Sequence, residues 1–351
     1  LLNTDHWLHQ YPSLSISGQL KAVAEDFQVT EILGYEPIGE GEHIYLWVEK
    51  IGLNTAYLAE QLAKFCKLPL RNVTYAGRKD KYAKTQQWFS VHVPGKASFD
   101  WDLFDEPGAK VLHSKRHNKK LRTGVLKGNR FNLTIRQLSS TVGLEERLQL
   151  IAQHGVPNYY GSQRFGDTRY DTRGGNLVLA EKMIQGEPIK NRNKRSMAIS
   201  ALRSWLFNEM VNNRLKLDVL HKPMVGDVMQ LAGSNSYFCT SELDTVIESR
   251  LAEQDIYLSA PLWGQGELTS QGEVLELENK LAIEHPEVTS TLASLGLKQE
   301  RRAIQLFPKN MQWSITEDEL NVEFSLPSGT FATSILREVL DTHQTMDIIP
   351  A

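Results

Sequence analysis

Period-two alternation of apolar and polar residues returns at four separated places in this chain. Phe27 and Val29 stand within KAVAEDFQVTE (residues 21–31), and Ile44, Leu46 and Val48 alternate against Tyr45 and Trp47. Phe131, Leu133 and Ile135 share one face of the next such stretch, and Val322, Phe324 and Leu326 repeat the pattern near the other end. Successive side chains of a strand point to opposite faces, so each stretch predicts a strand with one buried face. Between them the spacing changes to three and four. Leu58, Leu62, Phe65 and Cys66 follow Asn54, a good N-cap residue, and stop at Pro69. A helix over about 144–154 ends at Gly155 and Pro157, and Ile199, Leu202, Leu206 and Met210 mark a longer amphipathic one. Residues from about 175 to 303 read as mostly helical, with one strand-like patch at 228–231. Strand-rich ends around a helix-rich middle predict an α+β fold. A discontinuous sheet domain, 1–154 and 304–351, is interrupted by an inserted domain, 155–303. At 351 residues the chain is long enough for both.

Several function classes are disfavoured. Only two cysteines occur, Cys66 and Cys239, with no CxxC, so neither a disulfide framework nor a cysteine zinc site is expected. The opening LLNTDHWLHQ lacks a basic start followed by an apolar run, and no apolar stretch reaches membrane-spanning length. A cytoplasmic protein without membrane contact is expected. P-loop, HExxH, GxSxG and GxGxxG patterns are missing, which argues against bound nucleotides and metals; no cofactor is expected.

The net charge of -3 conceals an asymmetry. From Pro107 to Leu144 there is no acid, whereas Lys110, Lys115, Arg116, Lys119, Lys120, Arg122, Lys127, Arg130 and Arg136 fall there. A second basic run is Lys190, Arg192, Lys194 and Arg195; acids gather around 242–278. Such single-sign stretches suit a polyanionic partner, a phosphate backbone first. An exposed, solubilising basic loop reads equally well from charge alone.

AGRKDKYAKTQQW, residues 76–88, places one acid, Asp80, among Arg78, Lys79, Lys81 and Lys84. Strand-like Val73–Tyr75 precedes it and Trp88–Val93 follows, so the charged stretch is a loop held by two strands. Asp80 is either a solvated turn acid or a carboxylate kept ionised by adjacent cations. An ionised carboxylate is a poor general acid but a usable nucleophile toward electrophilic carbon. Gly77 would allow the backbone a tight approach.

Ala76, Gly77, Lys79, Asp80, Ala83, Thr85 and Gln87 resemble the AGxKDxxAxTxQ signature of the TruD family of tRNA pseudouridine synthases. Four further stretches agree, in order along nearly the whole chain. They are KAVAEDFQVTE around Phe27, LKGNRFNLTIR with Asn129 and Phe131, GVPNYYGSQRFG at 155–166, and FSLPSGTFATSILRE with Phe331. Tyr160 stands where the family more often has Phe, and Asp167–Asn176 looks longer than the usual connection.

The resemblance implies a pseudouridine-synthase-like mixed/antiparallel sheet, a TRUD-type insertion, and isomerisation of uridine to pseudouridine, at uridine 13 in the D arm of tRNA. Asp80 is then the essential carboxylate: it adds to the base, attacks C1′, or removes a proton from C2′. Phe131 would stack on the flipped uracil, Phe27 and Phe331 line the pocket, and Asn129 read the base edge. Lys21 or Lys79 would keep Asp80 ionised. Adjacent residues of an extended chain point apart, which favours Lys21. Thr85 and Gln87 would brace the loop. Lys115, Arg116, Lys119, Lys120, Arg122, Arg192, Lys194 and Arg195 would contact phosphates, and Arg164 and Arg169 would face an RNA cleft if the hinge lies near Gly155. The partner is tRNA; a monomer with no obligatory protein partner is expected. Two other readings fit parts of the sequence: a non-catalytic structured-RNA-binding protein on the same fold, and an enzyme acting on a small phosphorylated substrate. Neutralising Lys119, Lys120 and Arg122 together should weaken tRNA binding and reduce the slope of log affinity against log salt by about 2–3. An unchanged slope in a filter-binding titration would remove these residues from the interface.

Overall fold

The computed structural model describes residues 2–95, 97–166 and 171–344. In chain order its first half contains β1 (Ser17–Leu20), β2 (Phe27–Ile32), β3 (His43–Lys50), α1 (Thr55–Phe65), β4 (Val73–Tyr75), β5 (Lys84–His92), β6 (Ala109–His117), β7 (Gly128–Arg136) and α2 (Leu144–His154). There follow β8 (Val156–Pro157), α3 (Ser162–Phe165), α4 (Gly175–Ile184), α5 (Arg192–Lys216), β9 (Val228–Leu231), β10 (Tyr237–Cys239), α6 (Thr245–Ala252) and β11 (Ile256–Leu262). The last part is α7 (Gly272–Glu284), α8 (Pro286–Ser294), β12 (Glu300–Ala303), β13 (Gln305–Leu306), β14 (Lys309–Ile315), β15 (Glu319–Pro327), α9 (Ala332–Val339) and β16 (Asp341–Gln344). The chain forms two compact units: Ser13–Gln153 with Pro308–Ala332 and Val339–Ala351, and Leu1–Pro12 with His154–Phe307 and Thr333–Glu338. The α+β architecture is as the alternation predicts, and the mixed sheet as the resemblance implies.

The first unit is built on a ten-stranded sheet with the order β14-β15-β7-β2-β5-β3-β6, to which β4 adds on β5 and β1 on β7, with β16 beside β1. The β2–β5 and β1–β16 pairs are parallel; the others are antiparallel. Helix α1 packs Leu58, Ala59, Leu62 and Ala63 against Leu46, Val48, Phe89 and Val91 on one face. Asn54 occupies its N-cap position, but its side chain makes no capping bond. The basic segment after β6 is anchored on the other face, where Leu121 and Leu126 pack with Leu33, Tyr45 and Ala76 and against Trp88.

Register across the sheet sets the site. Residues opposite one another on paired strands share a face. Lys50, Thr85, Val29, Phe131 and Phe324 therefore form one row across β3, β5, β2, β7 and β15. Glu31, Asn129 and Leu326 lie in the adjoining row, which Val48 and Gln87 continue on β3 and β5. Under α1 this face is apolar; along the two rows it carries Lys50, Thr85, Gln87, Glu31 and Asn129 beside Phe131 and Phe324.

The second unit departs from the helical reading. Helix α5 is its core, burying Leu202, Leu206, Phe207, Met210 and Val211. A four-stranded sheet of order β10-β9-β11-β12 accompanies it, where the sequence indicated only β9. β11 is buried along most of its length and so lacks alternation. β12 reads ERRA, and its buried Arg301 pairs with buried Glu278 from α7 (2.9 Å) and donates to the Ser259 side chain and carbonyl. The longer connection at Asp167–Asn176 falls partly outside the described residues, as does Arg169.

Replacing Leu62, fully buried between α1 and the sheet, by Ala should cost about 2–5 kcal/mol in urea denaturation of the protein. A loss below about 1 kcal/mol would mean that α1 does not seal this face as described.

Candidate active site

KAVAEDFQVTE folds as an irregular turn feeding a strand. Asp26, almost fully buried, accepts from the backbone N–H of Val23 at 3.1 Å and pairs with Arg136 of β7, Nη2 to Oδ1 at 2.8 Å. This turn presents Lys21 and Phe27 together: the Lys21 ammonium lies 4.5 Å from the Phe27 ring centroid. Lys21 has a positive φ of 58°, a conformation that costs a residue with a side chain roughly 1 kcal/mol or more. Gly77, by contrast, is not in the left-handed region. A Cβ there would meet only the Lys79 ammonium at 3.9 Å, so the freedom expected of that glycine is not used.

The loop between β4 and β5 lies over this face. Lys21 Nζ donates to Asp80 Oδ2, and the Tyr82 N–H donates to Oδ1 at 2.9 Å. Lys50 Nζ, wholly buried at the end of β3, donates to the main-chain carbonyl of Asp80 at 2.9 Å. Thr55 accepts from the Lys79 N–H at 3.0 Å and donates to Gln87 Oε1 at 3.0 Å; Gln87 Nε2 donates to the Gly77 carbonyl at 3.3 Å. The Gly77 and Asp80 carbonyls, the Lys79 and Tyr82 amides and the one acid of the loop are therefore held. The Asp80 side chain remains 25% exposed while that of Lys21 is 5% exposed: the acid opens outward from a buried cation.

Lys79 pairs with a different acid. Its ammonium donates to Glu31, which also accepts from the Trp88 N–H at 2.8 Å. Three lysines and two carboxylates thus share one end of the sheet. Burial pushes the Asp80 carboxyl up, but the charge and hydrogen bond of Lys21, the Tyr82 amide and Lys50 outweigh it, and Asp80 ends below the usual carboxylate range. Glu31 goes the other way, because its burial exceeds what Lys79 and the Trp88 amide return. Burial also lowers the Lys50 ammonium to about 8, against the partial support of Asp80.

The phenylalanines adjoin this charge cluster. Phe27 meets Phe131 edge-on at 6.4 Å between centroids, and Phe131 lies inclined to Phe324 at 5.6 Å. Asn129 stands opposite Glu31, and its Oδ1 is buried without a hydrogen-bond partner. Phe331 is half-buried just before α9. An ionised acid, an aromatic cluster and a buried free acceptor offer the chemistry to hold a planar polar ring against a nucleophile. Among the described residues no group of three or more His, Cys, Asp and Glu side chains could hold a metal ion.

The sequence model of tRNA pseudouridine synthase D (TruD) matches residues 5–190 and 189–339. The chain belongs to the TruD family. It is 57% identical over 340 residues to the tRNA pseudouridine synthase D of Pseudoalteromonas atlantica, covering 97% of both chains. To the protein of the same name from Shewanella oneidensis it is 47% identical over 336 residues, 96% of this chain and 89% of that one. A crystal structure from Methanosarcina mazei, also described under the TruD name, aligns with a TM-score of 0.73 over 95% of both chains. At 22% identity that likeness bears on the fold alone.

Within this TruD-family frame the basic residues divide. Lys119, Lys120 and Arg122 are exposed on the segment after β6, and Lys115 is half-buried on β6. The Arg116 guanidinium is engaged by the main chain, donating to the carbonyls of Gly41 (2.7 Å), Gly95 (3.3 Å) and Ala97; its work is to tie two loops to β6. Arg192, Lys194 and Arg195 are exposed in the first turn of α5, which contains no acid. Arg164 donates to Ser200 at 2.8 Å and lies 5.0 Å from the Tyr160 ring, which also has Arg302 at 4.1 Å and Phe207 edge-on at 5.6 Å. Lys50, Glu31, Tyr82 and Thr55 escaped the sequence reading of the site. A lysine ending an apolar strand face, Ile44-Leu46-Val48-Lys50, is the one signal that pointed to any of them.

Replacing Lys21 by Met should raise the Asp80 titration, followed by the carboxyl-carbon NMR shift. A depressed acid stabilises the fold above its unfolded pKa, and this contribution disappears as pH falls through the folded value. In wild type that loss occurs below the ordinary carboxylate range, and in Lys21→Met it should move upward toward it. An unmoved titration would mean that Lys21 does not set the charge of Asp80.

Proposed function

We propose that this protein is a tRNA pseudouridine synthase, an isomerase that converts uridine 13 in the D arm of tRNA to pseudouridine through Asp80. The observation that carries the reading is Asp80 itself: ionised, a quarter exposed, and held by Lys21, the Tyr82 amide and Lys50 beside the phenylalanines. In this reading the target nucleotide leaves its stack at a cost of a few kcal/mol, and contact with Phe131, between Phe27 and Phe331, offsets about 1–3 kcal/mol. Asn129 Oδ1, buried without a partner, accepts from the uracil edge. The glycosidic bond breaks, the uracil turns, and its C5 bonds to C1′; the proton lost from C5 is balanced by one gained at N1. Nothing is oxidised or reduced. In this reading Asp80 acts on the base, on C1′ or on the C2′ proton.

The helix-rich unit is read as the insertion of the family, and its basic α5 N-terminus as a phosphate contact. Cations in the first turn of a helix oppose the macrodipole, at roughly 0.3–1 kcal/mol each. Arg192, Lys194 and Arg195 pay that cost, and a phosphate would relieve it. Lys115, Lys119, Lys120 and Arg122 supply the corresponding contacts from the sheet unit. Lys79, engaged with Glu31, supports the pocket wall in this reading.

Incubating an unmodified tRNA transcript with the protein and mapping pseudouridine by a chemical stop assay should give one stop, at position 13. Asp80→Ala should reduce its rate by at least about 100-fold while tRNA affinity is kept. Binding without modification by wild type would favour the non-catalytic RNA-binding reading. A stop elsewhere would overturn the site assignment.

A further inference from the structure

Lys50 is not among the residues that the family motifs single out, yet with Glu31 it is one of two fully buried charged side chains at the site. Its side chain is inaccessible to solvent, and its ammonium meets the main-chain carbonyl of Asp80 at 2.9 Å. It arrives from β3, the strand beyond β5, whereas Lys21 arrives from the turn before β2. Asp80 is thus gripped from two independent elements: the carboxylate by Lys21 and the Tyr82 amide, the carbonyl by Lys50. A carbonyl fixed by an ammonium cannot rotate freely about the loop, so the direction of the carboxylate is set as well as its charge.

We propose that Lys50 is a positioning residue for the isomerisation, its ammonium clamping the Asp80 main chain so that the carboxylate meets the target nucleotide in one orientation. The inference rests on Asp80 being the catalytic group. Lys50 never touches substrate; it acts through the loop. The cost of keeping a charge in this place supports the role: an apolar residue at the end of the Ile44-Leu46-Val48 face would pack against α1 without desolvating an ion.

The clamp has a built-in pH limit. Burial brings the Lys50 ammonium down to about 8, with Asp80 holding it up and Lys79 pushing it down. Its cross-strand neighbours, Thr85 on β5 and Ala109 on β6, carry no charge; Lys21 faces it across Asp80, and Lys79 is itself balanced by Glu31. As pH rises through about 8 the amine becomes neutral, the charge-assisted bond to the carbonyl weakens, and the rate should fall while Asp80 stays ionised.

The test is the single-turnover rate of pseudouridine formation with saturating enzyme between pH 6 and 10, for wild type, Lys50→Met, Lys50→Arg and Asp80→Asn, with tRNA affinity and circular dichroism in parallel. Wild type should lose about ten-fold in rate across pH 8. Lys50→Met should show that loss already at pH 7, bind tRNA as wild type does, and have no further limb near 8. Lys50→Arg, charged throughout, should move the limb upward. A limb near 8 that persists in Lys50→Met belongs to another group and overturns the proposal. If Lys50→Met does not fold, the wild-type profile decides: a rate that stays flat to pH 9.5 contradicts the clamp, and a fall that Lys50→Arg shifts supports it. Activity retained in Asp80→Asn removes the reading beneath; an inactive Asp80→Asn with an unaltered Lys50→Met profile removes this inference alone.

Discussion

The ion pair between Lys21 and Asp80 is what the rest of the site serves. Burial alone pushes a carboxyl in this partly dry place up, and the charge and hydrogen bond of Lys21 are the largest of the contributions that reverse it. The pair costs desolvation on both sides, and such pairs stabilise a fold weakly or not at all. What it supplies is a charge that persists at neutral pH with one oxygen face still open. The surrounding structure spends stability to keep it: Lys21 sits at a positive φ, held there by a turn that buried Asp26 ties down through Val23 and Arg136.

The neighbouring acid shows how finely position decides ionisation. Glu31 and Asp80 each have a lysine partner, yet their titrations move in opposite directions. The Glu31 side chain is fully buried between strands, so desolvation dominates; Asp80 is a quarter exposed and collects two ammoniums and an amide. Two neighbouring carboxylates, one on β2 and one on the loop above it, thus differ in kind. One joins β2 to the loop and to β5 through Lys79 and the Trp88 amide, and the other faces outward.

Much of the sheet was legible in the sequence because half-buried strands write their burial into alternation. Phe131-Leu133-Ile135 and Val322-Phe324-Leu326 are neighbouring strands in the sheet, Phe131 opposite Phe324. The five motifs led correctly to the TruD family. The small sheet of the second unit was hidden because β11 is buried on both faces and β12 has its arginine balanced by a glutamate more than twenty residues away in sequence. Within the candidate site, point-apart geometry along an extended chain sufficed to prefer Lys21 over Lys79 as the partner of Asp80. Glu31 left no signal and Lys50 only its place at the end of an apolar strand face, since their roles arise from contacts with a loop distant in sequence. Gly77 misled in the opposite sense: its backbone is ordinary, and the unusual backbone belongs to a lysine.

These features converge on one physical claim, that the Asp80 carboxylate reacts with a nucleotide drawn out of its stack. A structure of the protein with an RNA carrying the target uridine tests it most directly. The account predicts the uridine extruded, its ring against the phenylalanines and a reacting atom of its base or ribose about 3–3.5 Å from an Asp80 oxygen, with Lys21 still paired to that acid. A target base that remains stacked in the RNA, or sits in a pocket remote from Asp80, would contradict it.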